Sequence, residues 1–272
     1  ESDQLRARRN KVSKDIGRSE EKPSNLVQEM RDVGVRLKEL DEEAKSLAQK
    51  LEALLLTIPN LPDDNVPEGK SEKENVLVHT VGQLPSFDFD PLPHWELGTR
   101  LDIIDLERGA KLSGSRFYIL KGKGATLQRA LISWMLDMHT REHGYQELYL
   151  PDMVTRDTAI GSGQLPKFAT NMYHDDEDDL WLVPTAEVPI TSLHSGEILN
   201  YGQLPFNYVA HTPCFRREKA AAGKDTRGIK RVHQFEKVEL FKFVEPKSSS
   251  EELERLVADA ERVCNVLEIP YR

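Results

Sequence analysis

Between Ser24 and Thr57 the apolar residues Met30, Val33, Leu37, Leu40, Ala44, Leu47, Leu51 and Leu54 recur at alternating spacings of three and four. That heptad seam predicts one long helix. Ser24 or Asn25, just after Pro23, supplies its cap, and Pro59 with the rest of "PNLPDDNVPEG" ends it. At 1.5 Å per residue the helix is roughly 50 Å long, and its seam needs a partner. Residues 1–16 offer one, because Leu5, Val12 and Ile16 form a sparser stripe before the polar turn "GRSEEKPSN". The two segments read as an antiparallel helical hairpin. A self-contained coiled coil or a dimer zipper fits the same pattern.

Past the linker, "NVLVHTVG" at 75–82 predicts a short strand. "ATLQRALISWMLDMHTREHG" has helical spacing through Leu127, Ala130, Leu131, Trp134, Met135 and Met138 and closes at Gly144. "YQELYLPDMV" reads as a strand ended by Pro151, and "SSEELERLVADAERVCNVLEI" as a last amphipathic helix capped by Ser249 or Ser250. The two ends of "CFRREKAAAGKDTRGIKRVHQFEKVELFKF", 214–243, alternate as strands do. Helices and strands mix without regular alternation, so the expected class is α+β with an antiparallel sheet rather than a doubly wound one.

Composition narrows what such a chain does. At 272 residues and 38% hydrophobic content it can bury a core, and its formal charge of −9 excludes a uniformly basic surface. Nucleic-acid contact would need a local patch. One exists: residues 1–22 set Arg6, Arg8, Arg9, Lys11, Lys14, Arg18 and Lys22 against five acidic residues. A basic arm tracks phosphates, although a solvated helix face looks similar. Cys214 and Cys264 supply neither a metal cluster nor a disulfide framework, and the apolar runs are too short to span a bilayer. "GKGAT" lacks the phosphate-loop spacing. The chain begins at Glu1 without methionine or a leader pattern, which suggests a start inside a longer protein.

The charged 214–243 stretch carries the chemistry. If both ends are strands, Arg216 and Glu218 share one face, and Arg231, His233, Phe235, Lys237 and Glu239 share another. The eleven residues Lys219 to Ile229 between them suit a mobile loop over a ligand. Arginine's fork fits phosphate, an aromatic ring stacks on a base, and a carboxylate accepts from amino groups. These residues could together hold a nucleotide and an amine. Solvated cross-strand ion pairs, each worth about 0.2–1 kcal/mol, are the alternative.

"FRREKAAAGKDTRGIKRVHQFEKVELF" resembles motif 2 of class II aminoacyl-tRNA synthetases, and with "GKDTRG" and "RVHQFEKVE" it is similar to the seryl-tRNA synthetase family. "PHWELG" at 93–98, "SGSRFYILKG" at 113–122, "LPKF" at 165–168, "PTAEVPIT" at 184–191 and "LHSGEIL" at 193–199 resemble that family in the same order. The resemblance spans nearly the whole chain. It implies a helical-hairpin arm at 1–58 that grips the long variable arm of serine tRNA, with Arg6, Arg8, Arg9 and Lys11 as tRNA-binding residues. A linker at 59–74 and a class II catalytic core at 75–272 would follow. It implies ATP binding by Arg216, Arg217, Glu218, Arg231, Val232 and Phe235, with Arg216 at the α-phosphate, Arg231 assisting there, Glu218 at the adenine amino group and Phe235 stacked on the ring. Thr185, Ala186 and Glu187 would form the serine-binding loop, with Glu239 recognising serine itself. Arg216 and Arg231 would be the catalytic cations.

The implied reaction is serine activation to the adenylate, with ATP and Mg²⁺, followed by transfer to the tRNA 3′ end; no protein metal ligand is assigned. The helix and strand at 125–154 resemble motif 1, which implies a homodimer, and the expected compartment is the cytoplasm or an organelle. No protein nucleophile is needed, and His211 and His233 are expected to be structural. Lys219–Ala220 and Ser162 depart mildly from the family pattern. The family's motif 3, whose arginine covers the second face of adenine, would lie beyond Arg272, and the front of the first arm helix before Glu1, so the chain reads as incomplete at both ends. An RNA-binding paralogue without aminoacylation, or a structural coiled-coil dimer with an inert core, are the competing readings.

Overall fold

The structure, a computed structural model, describes residues 1–16, 24–219 and 227–272. The turn 17–25 expected between the first two helices, with Arg18 and Lys22, lies mostly outside those residues, and so does most of the expected loop 219–229. The chain divides into two compact units, Glu1–Leu61 and Pro62–Arg272.

In the first unit, α1 (Ser2–Ile16) and α2 (Ser24–Leu55) form the expected antiparallel pair. Arg6 meets Asp41 at 2.7 Å, Arg36 meets Glu1 at 3.3 Å, and Arg8 pairs with Glu29, so ion pairs tie the two helices together. Leu37 is buried at the centre of the seam. With 15 residues against 32, α1 covers only part of it, and Leu47, Leu51 and Leu54 stay exposed. Ion pairs this exposed contribute little each; the seam supplies the attraction.

The second unit is α+β. A three-stranded sheet runs β3–β7–β8 (Gln146–Leu148, Phe206–Phe215, Gln234–Phe243), parallel between β3 and β7 and antiparallel over ten residue pairs between β7 and β8. A second, antiparallel sheet runs β4–β6–β5 (Met153–Thr155, Leu180–Leu182, His174–Asp175). A two-stranded ribbon pairs β1 (Ile104–Asp105) with β2 (Ile119–Leu120). Between β4 and β6, Val154, Ala159, Leu165, Met172, Trp181, Val183 and Val188 form one core. A second core around β7 and β8 holds Leu150, Ala186, Ile190, Tyr208 and Ala210, with Phe206, Phe241 and Phe243 against it. The short helix α7 (Glu187–Thr191) sends residues into both.

Several expectations change. The stretch 75–82 is not a strand; its bridge among the described residues is the isolated pair Val81 to Tyr271. "YQELYLPDMV" is split at Pro151 between β3 and β4, which belong to different sheets, since proline has no N–H to continue a ladder. The expected 125–144 helix is α5 (Lys123–Arg141), ended with Gly144 at φ 72°, a left-handed conformation that suits glycine. The last helix, α8 (Ser249–Val266), is preceded by a 3₁₀ turn at Pro246–Ser248, so Ser248 rather than Ser249 or Ser250 takes the cap position, with its hydroxyl donating back to the Glu245 carbonyl at 3.1 Å rather than capping the helix.

A polar cluster joins α5, β8 and α8. His139 is 2% exposed, with Nδ1 3.0 Å from Nδ1 of His143, and the Tyr145 hydroxyl donates to Asp259 at 2.8 Å. Lys242 Nζ meets the buried Glu252 at 2.9 Å, and that hydrogen bond holds the Glu252 carboxyl below its usual range. Burial, then the neighbouring His143, push the His139 imidazole below its ordinary value of 6.5, against the weaker pull of Asp259 and Glu142. The unfolded chain therefore takes up the proton first, so stability is full above pH 6.5 and falls as pH drops below it. Thermal melts are expected to show that decline, flattened in His139→Gln; the same slope in both proteins would remove His139 as its source.

Candidate active site

Residues 183–188 cross between the two cores, and that crossing fixes the segment Thr185–Ala186–Glu187. Val183 and Val188 are anchored in one core, Ala186 in the other, and all three are fully buried. The end of β7 is tied to it, since Phe215 N–H donates to the Val183 carbonyl at 2.9 Å and Arg216 Nε donates to the Pro184 carbonyl at 3.2 Å. Arg216 is thereby held beside Thr185 by backbone rather than by solvent-exposed contacts.

The sequence places Arg216 and Glu218 on one strand face; in the structure β7 ends at Phe215 and β8 begins at Gln234, so neither 216–218 nor 231–233 is strand. Side-chain parity therefore holds for Phe235, Lys237 and Glu239 and not for the others. The groups still converge, by hydrogen bonds in the flanking loops. Arg216 N–H donates to the His233 carbonyl at 3.0 Å, and His233 Nδ1–H donates to the Arg216 carbonyl at 2.9 Å. His233 N–H reaches the Arg116 carbonyl at 3.1 Å, while Arg116 Nε donates to the Arg231 carbonyl at 3.1 Å. His233, expected to be merely structural, thus aligns Arg216 directly. Glu218 has φ 49°, a left-handed conformation unusual for a side-chain-bearing residue.

The outcome is a cavity of about 540 Å³ lined by Arg216, Glu218, Ile229, Lys230, Arg231, Val232 and Phe235. The Arg216 guanidinium lies 5.1 Å from the Phe235 ring centroid, and Arg231 Nη1 donates to Glu218 at 3.2 Å. A cation over an aromatic face, with a carboxylate at the rim, suits an anion attached to a flat base. One return of the chain is fixed at Gly228, φ 73°, where a Cβ would lie 2.0 Å from His94 Nε2, the same nitrogen that accepts the Ile229 N–H at 2.9 Å. Arg217 does not line this cavity. Its Nε donates to the Met172 carbonyl at 2.8 Å and its guanidinium covers the Tyr173 ring at 4.4 Å, so its side chain braces the wall.

A smaller cavity of about 260 Å³ shares Arg216 and Glu218 and adds Gln164, Phe168, Asn171, Met172, Pro184 and Thr185. Beside it Glu239 Oε2 accepts the Thr185 hydroxyl and, at 3.2 Å, the Glu187 N–H, while Lys237 Nζ stands 2.7 Å from the same oxygen and 2.6 Å from Thr185 Oγ1. Thr185 is buried and the Glu187 side chain is exposed, so Glu187 contributes its backbone here. Gln164, Asn171 and Lys237 were missed as candidates; only Lys237 gave a signal, its parity with Phe235 and Glu239. Cys214 is fully buried, and burial pushes its thiol up, so it is no nucleophile. His211 bonds Glu236 at 2.7 Å on β7 and β8. Among the described residues no group of three or more His, Cys, Asp or Glu could hold a metal ion.

Of the arm residues, Arg6 and Arg8 make the cross-helix pairs given above, whereas Arg9 and Lys11 are exposed with no salt bridge among the described residues. No described helix is long and apolar enough to cross a membrane.

An antiparallel hairpin that presents arginine, glutamate and an aromatic ring to one cavity is the arrangement of a class II synthetase core. Residues 168–272 match the family model "tRNA synthetase class II core domain (G, H, P, S and T)" and residues 1–62 match "Seryl-tRNA synthetase N-terminal domain". A serine–tRNA ligase of Dehalococcoides mccartyi strain 195 is 55% identical over all of the chain and 64% of its own length; one of Roseiflexus sp. RS-1 is 56% identical over the same shares. The seryl-tRNA synthetase of Pyrococcus horikoshii, solved with ATP, superposes with TM-score 0.89 at 37% identity, over all of this chain and 66% of that one. A cytoplasmic serine–tRNA ligase of Naegleria fowleri, solved with AMP, gives 0.81 at 29% identity, over all of this chain and 63% of that one. The chain thus carries a seryl-tRNA synthetase N-terminal domain and a class II synthetase core domain, and it spans about 64% of the length of the first curated relatives it matches.

Proposed function

We propose that the protein activates L-serine with ATP and transfers the seryl group to the 3′ end of a serine tRNA. The observation that carries this reading is the adjacency of two cavities that share Arg216 and Glu218, one walled by Phe235 and Arg231, the other by Thr185 beside Glu239. Adenine stacks on Phe235 with its amino group toward Glu218, and Val232 closes the pocket from a buried position. The serine ammonium sits at Glu239 and the Thr185–Ala186–Glu187 segment. The serine carboxylate oxygen attacks the α-phosphorus in line; the new O–P bond forms as the bond to pyrophosphate breaks, and pyrophosphate leaves with the electron pair. Arg216, with Arg231 assisting, meets the charge that develops on the phosphoryl oxygens. A terminal ribose hydroxyl of the tRNA then attacks the seryl carbonyl and AMP departs. Mg²⁺ is the expected companion of ATP, and no step here is routed through it.

In this reading 1–58 is the tRNA-binding arm, 59–74 a linker and 75–272 the catalytic core. A homodimer through 125–154 is supported by the exposed apolar groups Leu127, Tyr149 and Met153 on that segment. The cytoplasm is the proposed compartment. Amino-acid-dependent exchange of pyrophosphate into ATP by the full-length protein tests the reading: serine is expected to support exchange and other amino acids are not. Serine tRNA binding without exchange would instead make it an RNA-binding paralogue. Replacing Arg6, Arg8, Arg9 and Lys11 together with alanine is expected to weaken tRNA binding and flatten its salt dependence while exchange is kept. An equal fall in both would assign those residues to the fold.

A further inference from the structure

Lys237 holds a position that the reaction leaves unexplained. Its Nζ stands 2.7 Å from Glu239 Oε2 and 2.6 Å from Thr185 Oγ1. A primary ammonium with hydrogen bonds to a carboxylate and a hydroxyl is also what the substrate's amino group would present. Two ammonium groups on one carboxylate oxygen repel, and in a partly desolvated site that repulsion is poorly screened. The substrate and Lys237 therefore compete for Glu239.

The strand supplies a second place for the displaced cation. Phe235, Lys237 and Glu239 alternate along β8 and share a face. At about 3.4 Å per residue, Lys237 stands roughly 7 Å from each of the others, midway between them. An aminoacyl-adenylate has the same order: base at one end, ammonium at the other, phosphate and carboxylate oxygens between. A lysine stem is long and rotatable enough to turn its charge from Glu239 to that anionic centre.

We propose that Lys237 is the resident counter-ion of the amino-acid subsite, displaced by the substrate's ammonium and received by the phosphate of bound nucleotide, so that it couples amino-acid binding to ATP binding. The proposal rests on the assignment of Glu239 and Thr185 to the amino-acid subsite. Serine alone must displace Lys237 without giving it a new anion, and binds weakly. With nucleotide in place the displaced cation is paired at once, and serine binds more tightly.

Calorimetric titration of serine into the full-length protein, with and without an ATP analogue carrying a methylene between the α- and β-phosphorus, measures this coupling. In the unaltered protein the analogue is expected to strengthen serine binding by about 5–150-fold. In Lys237→Met, which keeps the stem and removes the charge, serine alone is expected to bind at least as tightly as before, and the coupling factor to fall to about one. Lys237→Arg, which retains a cation, is expected to recover part of the coupling and guards against a folding defect in the methionine variant. Coupling of equal size in Lys237→Met, or no coupling in the unaltered protein, would overturn the proposal. Glu239→Gln in the same titration separates the two levels. If it leaves serine affinity intact, the subsite assignment fails; if it weakens serine while Lys237→Met keeps its coupling, only the role of Lys237 fails.

Discussion

Arg216→Ala is expected to lower serine-dependent exchange of pyrophosphate into ATP by roughly a hundredfold to a thousandfold, about 2.7–4 kcal/mol of transition-state stabilisation. The size of the effect follows from how firmly the side chain is set. Its Nε is fixed by the Pro184 carbonyl at 3.2 Å, its backbone is bonded twice to His233, and its guanidinium rests over Phe235. A cation held in this way reorganises little when negative charge grows on the phosphoryl oxygens, and that is the condition under which a fixed donor is worth most. Arg216→Lys keeps the charge but loses the planar fork, and is expected to recover only part of the rate. Exchange that is unchanged in Arg216→Ala would remove this residue from the phosphate site.

The second large effect is expected at Glu239. Its carboxylate gathers the Thr185 hydroxyl, the Glu187 N–H and the Lys237 ammonium at one oxygen, so under the proposed function it is the anion about which the amino-acid subsite is organised. Glu239→Gln keeps the shape and removes the charge. Losing a hydrogen bond to a charged group costs about 1.5–3 kcal/mol, which corresponds to a KM for serine raised roughly tenfold to more than a hundredfold. The KM for ATP is expected to stay near its original value, because Phe235 and Arg216 are untouched. Equal losses for both substrates would mean that Glu239 supports the hairpin rather than the amino acid.

The helices were legible because their period is local. The α2 seam and the spacing of α5 and α8 could be read from residues three and four apart, and each helix forms within a few residues of its expected bounds. β7 and β8 were legible as an alternating pair, and their antiparallel register bears that out. Strands that need a distant partner were less so: 75–82 reads as a strand by its apolar run, yet among the described residues its one bridge is Val81 to Tyr271. Resemblance named the site residues, and the structure brings Arg216, Glu218, Arg231, Val232 and Phe235 to one cavity. The geometric reason read from strand parity does not hold for Arg216, Glu218 and Arg231, because those residues lie in loops closed by His233 and Arg116. Nothing in the pattern of charge distinguishes Arg217, which braces Met172 and Tyr173, from Arg216 beside it. Adjacent residues of one type take different roles according to which carbonyl lies nearest, and that is fixed by tertiary contacts alone.

A crystal structure of the full-length protein with a non-hydrolysable seryl-adenylate analogue tests the central claim most directly. The account predicts the adenine ring stacked on Phe235 with its amino group at Glu218, the phosphate-mimicking group beside Arg216, and the seryl ammonium within hydrogen-bonding distance of Glu239 and Thr185. An analogue bound elsewhere, or bound here with its ammonium turned away from Glu239, would contradict it.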